Sequence, residues 1–258
     1  MKKRRLFYDI ETSLCEGVFF RPGYNQTVSP SQILKHAKII CISWKWEGKD
    51  KVHNLDWGNE QCDKRLLEKF IVELEKADEI VAHNGDKFDI KWIRARAAYH
   101  NLEIKPSYRS IDTYKLSKKY FALPSYRLGE VAKYFSLEAK KDPGGLETWI
   151  NIVIHKDKKA LKTMLWYCDG DVVTLEQVYK KLRRYTEHNL HYGVKGGSEK
   201  FHCPECGLLP NHNKRYISKA GTISHFMICV QKDCGQYFKI NNKTYQDYLQ
   251  YKMINSLN

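Results

Sequence analysis

With 258 residues, the chain can hold one large domain, or a medium domain with a small appendage. Its 42% hydrophobic and 13% aromatic content supports a core and excludes wholesale disorder. Net charge is +14, with 35 Lys and Arg against 25 Asp and Glu up to Tyr185 and 9 against 5 after it, so both parts favour a polyanionic partner. No apolar run approaches the roughly 20 residues of a bilayer-spanning helix, so no membrane role is expected. Met1-Lys-Lys-Arg-Arg carries the charge of a signal-peptide start, but Asp9 and Glu11 fall where the apolar stretch should follow. A cytoplasmic location is expected, and there the eight cysteines are thiols or metal ligands rather than disulfides.

Residues 6–13 (Leu-Phe-Tyr-Asp-Ile-Glu-Thr-Ser) read as a strand rich in aromatic and β-branched side chains. Alternation places Leu6, Tyr8 and Ile10 on one face and Phe7, Asp9 and Glu11 on the other. Two carboxylates side by side on a central strand are costly unless a cation compensates them, and a divalent ion with oxygen ligands does so. Residues 14–37, with Pro22, Gly23 and Pro30, lack a period and read as a loop or substrate flap near those acids. A hairpin follows, with strands at 38–46 and 51–57 about the turn Glu47-Gly48-Lys49-Asp50. Leu66, Leu67, Phe70, Ile71 and Leu74 give a helix over 64–76. Then come a buried strand at 79–83, a helix from about 88 to 100, a strand near 109–113 and a helix near 126–136. A loop at 140–145 precedes a long helix from about 158 to 184. Hairpin first and alternating helices and strands afterwards define an α/β domain with a mixed sheet.

Two further carboxylates sit in suggestive places. Asp89 falls one turn into the helix after His83-Asn84-Gly85-Asp86-Lys87-Phe88, at a strand end feeding a helix start. Asp86 competes there as a helix cap. In the long helix Leu161, Met164, Leu165, Cys168, Val172, Leu175 and Leu182 form the packed face. Tyr167 and Asp171, at i and i+4, flank it, whereas Asp169 points to solvent.

Phe7-Tyr8-Asp9-Ile10-Glu11-Thr12, His83-Asn84-Gly85-Asp86-Lys87-Phe88-Asp89 and Tyr167-x-x-x-Asp171 together resemble the three exonuclease motifs of the DEDD superfamily. Tyr four residues before the last Asp is similar to the DEDDy branch, which includes the proofreading domains of family B DNA polymerases. Ser110-Ile111-Asp112-Thr113 and Ser125-Tyr126-Arg127-Leu128-Gly129 resemble segments common between the second and third motifs. The resemblance covers residues 5–184 and implies a ribonuclease H-like fold. It also implies two Mg²⁺ or Mn²⁺ ions, with Asp9 bridging both, Glu11 and Asp171 on one, and Asp89 completing the other. Tyr167 would orient the attacking water, since a phenol with a pKa near 10 is a poor general base.

Cys203-Pro-Glu-Cys206 and Cys229-x4-Cys234 give two cysteine pairs, suited to one structural Zn²⁺ in a zinc ribbon. Residues 216–222 and 226–228 read as its strands. Lys214, Arg215 and Lys219 with Tyr216 and His225 suit a nucleic-acid backbone and base, and equally a protein-docking knob. Cys15, Cys41, Cys62 and Cys168 read as buried thiols. The expected division is an exonuclease domain at 1–187, a linker at 188–200, the ribbon at 201–240 and a tail or helix at 241–258. The expected activity is 3′–5′ exonucleolytic hydrolysis of single-stranded DNA, with RNA as the other candidate. A proofreading role would require a replication or repair protein as partner. The rival readings are a ribonuclease or structure-selective endonuclease on the same fold, and a catalytically silent nucleic-acid-binding adaptor.

Overall fold

The protein is described here by a computed structural model over residues 4–19, 21, 27–137, 144–186, 190–231 and 234–256. It divides into two compact units, Arg4–Tyr179 and Lys180 onward.

In the first unit, β1 (Arg5–Thr12) is central to a five-stranded mixed sheet. On one side it pairs antiparallel with β4 (Ile39–Trp46), which pairs antiparallel with β5 (Val52–Asp56). On the other it pairs parallel with β6 (Glu79–Ala82), which pairs parallel with β7 (Arg109–Asp112). The order is therefore β5-β4-β1-β6-β7. The short parallel strands require crossovers, supplied by α1 (Lys64–Lys76) before β6 and α2 (Asp89–Tyr99) before β7. The expected alternation of β1 is visible in its contacts. Tyr8 meets Phe70 of α1, while Phe7 meets Tyr179 of the long helix α6 (Lys158–Leu182), each at 5.6 Å between ring centroids.

Polar contacts set how α6 lies along the sheet. Ser43 of β4 and Asn54 of β5 donate to the two oxygens of Asp169 at 2.7 and 2.8 Å, and Lys45 pairs with Glu176. Asp169 is thus half-buried and bonded, not solvated as the helical wheel suggested, because a wheel does not show which polar strand residues face it. Arg5 likewise leaves the basic N-terminal run and is buried. Its guanidinium pairs with Glu79 at 2.6 Å and Glu47 at 2.9 Å, over the ring of Tyr179.

Several elements went unread in the sequence. The region read as a flap contains a small ribbon, β2 (Glu16–Gly17) paired with β3 (Ile33–Lys35); residues 20 and 22–26 of it lie outside the described ones. Helix α3 (Thr113–Tyr120) buries Thr113 and Ser117 rather than an apolar stripe, and its N-cap Asp112 accepts from the N–H groups of Tyr114 and Lys115. Helix α4 (Leu128–Tyr134) follows the expected course. Helix α5 (Gly145–Val153) begins where a loop was expected; 140–143 of that loop lie outside the described residues. Its Trp149 indole donates to the Thr12 carbonyl at 3.0 Å, tying α5 to the end of β1.

The second unit begins at the end of α6. The expected linker is in part a helical turn, α7 (Tyr192–Lys195), with Tyr192 and Gly193 buried. The Tyr192 N–H donates to the Pro204 carbonyl, and a Cβ on Gly193 would stand 2.8 Å from the Cys203 oxygen, so this stretch packs on the cysteine turn. A three-stranded antiparallel sheet follows, β8 (Asn211–Ile217), β9 (Ile223–Ile228) and β10 (Tyr237–Asn241), with β9 in the middle. Helix α8 (Asn242–Ser256) covers one face, burying Met227 and Ile240 with Phe201 and Tyr248. No helix among the described residues is long and apolar enough to cross a membrane.

Asp63, fully buried before α1, joins three elements of the first unit. It accepts from the Ile39 N–H of β4 at 3.0 Å and from two nitrogens of Arg96 on α2 at 2.7 and 2.9 Å, and pairs with His100 at 2.7 Å. Burial alone would raise its pKa, but the Arg96 and His100 bonds outweigh it and hold the carboxyl below the usual range. A lowered carboxyl pKa contributes stability above the unfolded value, lost as pH falls through the folded one. Asp63→Ala strands the Arg96 charge and is expected to cost about 3–5 kcal/mol in denaturant unfolding at pH 7. A loss below about 1 kcal/mol would show that the pair does not hold the helices.

Candidate active site

Three of the four expected carboxylates converge. Asp9 and Glu11 come from β1 and Asp171 from α6, and each offers an oxygen within 4.8 Å of the others. Alternation along β1 puts both acids on the face that α6 covers. Asp171 is 3% exposed; Asp9 and Glu11 are half-buried. At an effective dielectric of ~20, each pair of unit charges at this separation repels by about 3.5 kcal/mol. Hard oxygen donors so placed fit a divalent cation.

Cys168, three residues before Asp171, packs against this group. Its Sγ lies 3.5 Å from the Asp9 carbonyl and 3.6 Å from Asp9 Oδ2. Burial, then neighbouring Cys41 and the acids, push its pKa well up, so the thiol keeps its proton and donates. Only the i, i+3 relation of Cys168 to Asp171 marks this contact in the residues themselves. The expectation of four buried thiols holds for Cys41 and Cys168 but not for Cys15 and Cys62, which are exposed.

Asp89 stands outside the three-carboxylate group. It is the first residue of α2, 3% exposed, and its Oδ1 accepts from the Ile10 N–H, the residue after Asp9, at 3.3 Å. Burial raises its pKa to about 7 against the lowering effect of the backbone bonds. Tyr167 lies one turn before Asp171 and is 6% exposed within the main core, while adjacent Trp166 is half exposed.

The segment that aims Asp89 is a tight turn. Asn84 adopts a left-handed φ of 65°. A Cβ on Gly85 would meet the Ala82 Cβ at 2.4 Å, so only glycine fits without a shift. Asp112 accepts from the Asn84 N–H at 2.9 Å, and the His83 ring bridges Thr113 Oγ1 and the Tyr126 carbonyl. Asp86 pairs with Lys115 at 2.7 Å and with Ser110 instead of capping α2, whose N-cap position is Phe88 with no side-chain capping bond. The roles of Asp112 and His83 are tertiary, and only the Ser-Ile-Asp-Thr and Ser-Tyr-Arg-Leu-Gly segments hinted at them.

In the second unit the sulfurs of Cys203, Cys206, Cys229 and Cys234 all lie within 4.8 Å of one another. Cys203–Cys234 and Cys206–Cys229 are 3.7 and 3.4 Å apart, far beyond an S–S bond. A Zn–S length of ≈ 2.3 Å implies a tetrahedral edge of about 3.8 Å, so the donor set fits Zn²⁺. The Cys203 bond pulls the Cys234 pKa down to about 5, while Cys203 is pushed up in turn by the same contact and by burial. Among the described residues one further group of possible ligands, Cys62, Asp63 and His100, has its carboxylate occupied by Arg96.

An RNase H superfamily profile matches residues 34–183, more than half of the chain, and the chain belongs to that superfamily. It is 27% identical over 135 residues to a PolC-type DNA polymerase III of Ureaplasma parvum, covering 52% of this chain and 9% of the relative. It is 30% identical over 103 residues to a DNA polymerase of Methanocaldococcus jannaschii, covering 31% of this chain and 6% of the relative. The chain thus spans less than a tenth of either polymerase. A family B DNA polymerase from the archaeon Pyrobaculum calidifontis shares the fold, with a TM-score of 0.55 and 17% identity over 71% of this chain and 25% of that one.

The raised pKa of Asp89 has a stability consequence. Between the ordinary carboxylate range and about 7 the folded chain holds a proton that the unfolded chain releases, so Asp89 destabilises progressively as pH rises through this window. Asp89→Asn keeps an oxygen for the Ile10 N–H and stays neutral. Without added Mg²⁺ or Mn²⁺, its melting temperature is expected to exceed wild type by clearly more at pH 8 than at pH 5, the two converging only near the ordinary carboxylate value of about 3.9. An equal difference at both pH values would remove the ionisation as the cause.

Proposed function

We propose that the first unit is a metal-dependent 3′–5′ exonuclease on single-stranded nucleic acid, with DNA preferred. The observation that carries this reading is the meeting of Asp9, Glu11 and Asp171, from two distant elements, in one oxygen-donor group. Asp89, at the start of α2 and bonded to the Ile10 N–H, supplies a further carboxylate against the same strand. Two Mg²⁺ or Mn²⁺ ions held by these acids would lower the pKa of the attacking water and stabilise the leaving 3′ oxygen.

The chain's own groups do the positioning. The Cys168 S–H and the Ile10 N–H restrain the carboxylates of Asp9 and Asp89. Tyr167 orients the attacking water through its hydroxyl. The preference for DNA is drawn from the two polymerase relatives. In the second unit, Cys203, Cys206, Cys229 and Cys234 hold one structural Zn²⁺, which supplies folding energy to a module with a small core.

End-labelled single-stranded DNA, duplex DNA and RNA, digested with Mg²⁺ or Mn²⁺ and resolved on a gel, test the activity. Asp9→Ala is expected to abolish cleavage while retaining single-strand binding, and to lose the rise in melting temperature that Mn²⁺ gives the wild type. Tyr167→Phe should lower the single-turnover rate by ~10²–10³ with stability unchanged. Normal chemistry in Tyr167→Phe would leave Tyr167 as a packing residue. Absence of cleavage in the wild type would favour a binding protein instead.

Cys203→Ser is expected to release about one equivalent of zinc and to unfold the second unit while the first retains its melting transition. Retention of zinc, or unfolding of the whole chain as one, would refute the division into an exonuclease domain and a zinc module.

A further inference from the structure

The sheet of the second unit has one face covered by α8 and one face open. Met227, Ile240 and Phe238 fill the covered face. His225 lies there too, 4% exposed, its ring stacked on Tyr245 at 3.6 Å, so it is unavailable to a base. The open face carries different chemistry. Lys214 of β8 and Lys239 of β10 are both register partners of Phe226 on β9, which forms a Lys–Phe–Lys row across the three strands. The Lys214 ammonium lies 5.6 Å from the Phe226 ring centre, and Lys239 lies 5.9 Å from that of Tyr216. Tyr216 meets Phe226 edge-on at 6.0 Å. Tyr237, two residues before Lys239, shares this face by alternation. Tyr216 and Tyr237 are 46% and 52% exposed.

We infer that this open face is a second nucleic-acid site, on which bases of a single strand stack against Tyr216, Phe226 and Tyr237 while Lys214 and Lys239 meet the phosphates. The inference rests on the nuclease reading only for the choice of a single strand. Charge favours a polyanion over a protein partner. The three strands contain Lys214, Arg215 and Lys239 and no Asp or Glu. The two tyrosines, beside a half-buried phenylalanine on a sheet whose other face is packed, keep about half of their surface open to a base. The lysines over the rings do not block a base. An exposed cation–π contact is worth about two- to fivefold in equilibrium, against roughly 5- to 150-fold for stacking one base. An ammonium released from a ring is also within reach of the phosphate beside the stacked base.

The test is fluorescence anisotropy of the full chain with labelled oligo(dT) and oligo(rU), without added Mg²⁺ or Mn²⁺ so that no strand is cut. Tyr216→Ala with Tyr237→Ala is expected to weaken binding at least about 20-fold, and the paired Tyr→Phe changes to stay within about twofold. Lys214→Gln with Lys239→Gln should reduce the slope of log K against log salt by about 1.4. Zinc content must match wild type in every variant, which separates a lost surface from a lost fold. Unchanged affinity of the zinc-replete Tyr→Ala variant overturns the proposal and leaves the face to a protein partner. The binding result stands apart from the nuclease reading. An inactive enzyme whose binding falls with the tyrosines refutes catalysis alone, and an active one whose binding does not fall refutes this site alone.

Discussion

Mutual repulsion among Asp9, Glu11 and Asp171 is the constraint to which the first unit answers. Left to themselves the three acids would move apart, and the surroundings prevent it. β1 is held by β4 on one side and β6 on the other, so neither Asp9 nor Glu11 can shift by sliding. Helix α6 is fixed along the sheet by Ser43 and Asn54 on Asp169 and by Lys45 on Glu176. These bonds bracket Asp171, two residues beyond Asp169 and five before Glu176. The donor group is therefore preorganised by contacts outside it, so that an ion bound there would not have to gather its ligands.

A second layer of the same logic acts on Asp89. Its helix begins after a turn that tolerates no side chain at Gly85, and Asp112 and His83 fasten that turn to α3 and to the segment before α4. Asp63 locks the far part of α2 to α1 and β4. A buried carboxylate held at both ends of its own helix is costly in the free protein, and the raised pKa of Asp89 expresses that cost.

Much of this was legible in the residues. The central strand, the hairpin, α1 and α6 followed from period and turn chemistry, because each carries either an apolar stripe or a β-branched run, and α2 from the Asn84-Gly85 break that precedes it. The candidate acids have local settings on a strand, a helix start and a helix flank, but only the resemblance to the exonuclease motifs joined them into one set. What sequence reading missed was set by tertiary partners. Arg5 reads as part of a basic tail until Glu47 and Glu79 arrive from other elements. Asp169 reads as solvated until Ser43 and Asn54 are placed opposite it. Helix α3 hides because it buries hydroxyls, and β10 because its apolar residues alternate with the open-face Tyr237 and Lys239.

The Cys168 thiol supplies an intrinsic clock for the site. It is sealed between α6 and β1 against Asp9, whereas Cys15 and Cys62 face solvent. Maleimide would modify Cys15 and Cys62 at once, as it would the exposed Cys206 when no metal holds it, but Cys168 only when helix and strand separate and the sulfur meets water. Mass-resolved labelling therefore reports how often the carboxylate group comes apart in the resting molecule. Slowing of that one modification by Mn²⁺ would register the ion's grip on the acids, with no substrate present and no bond cut.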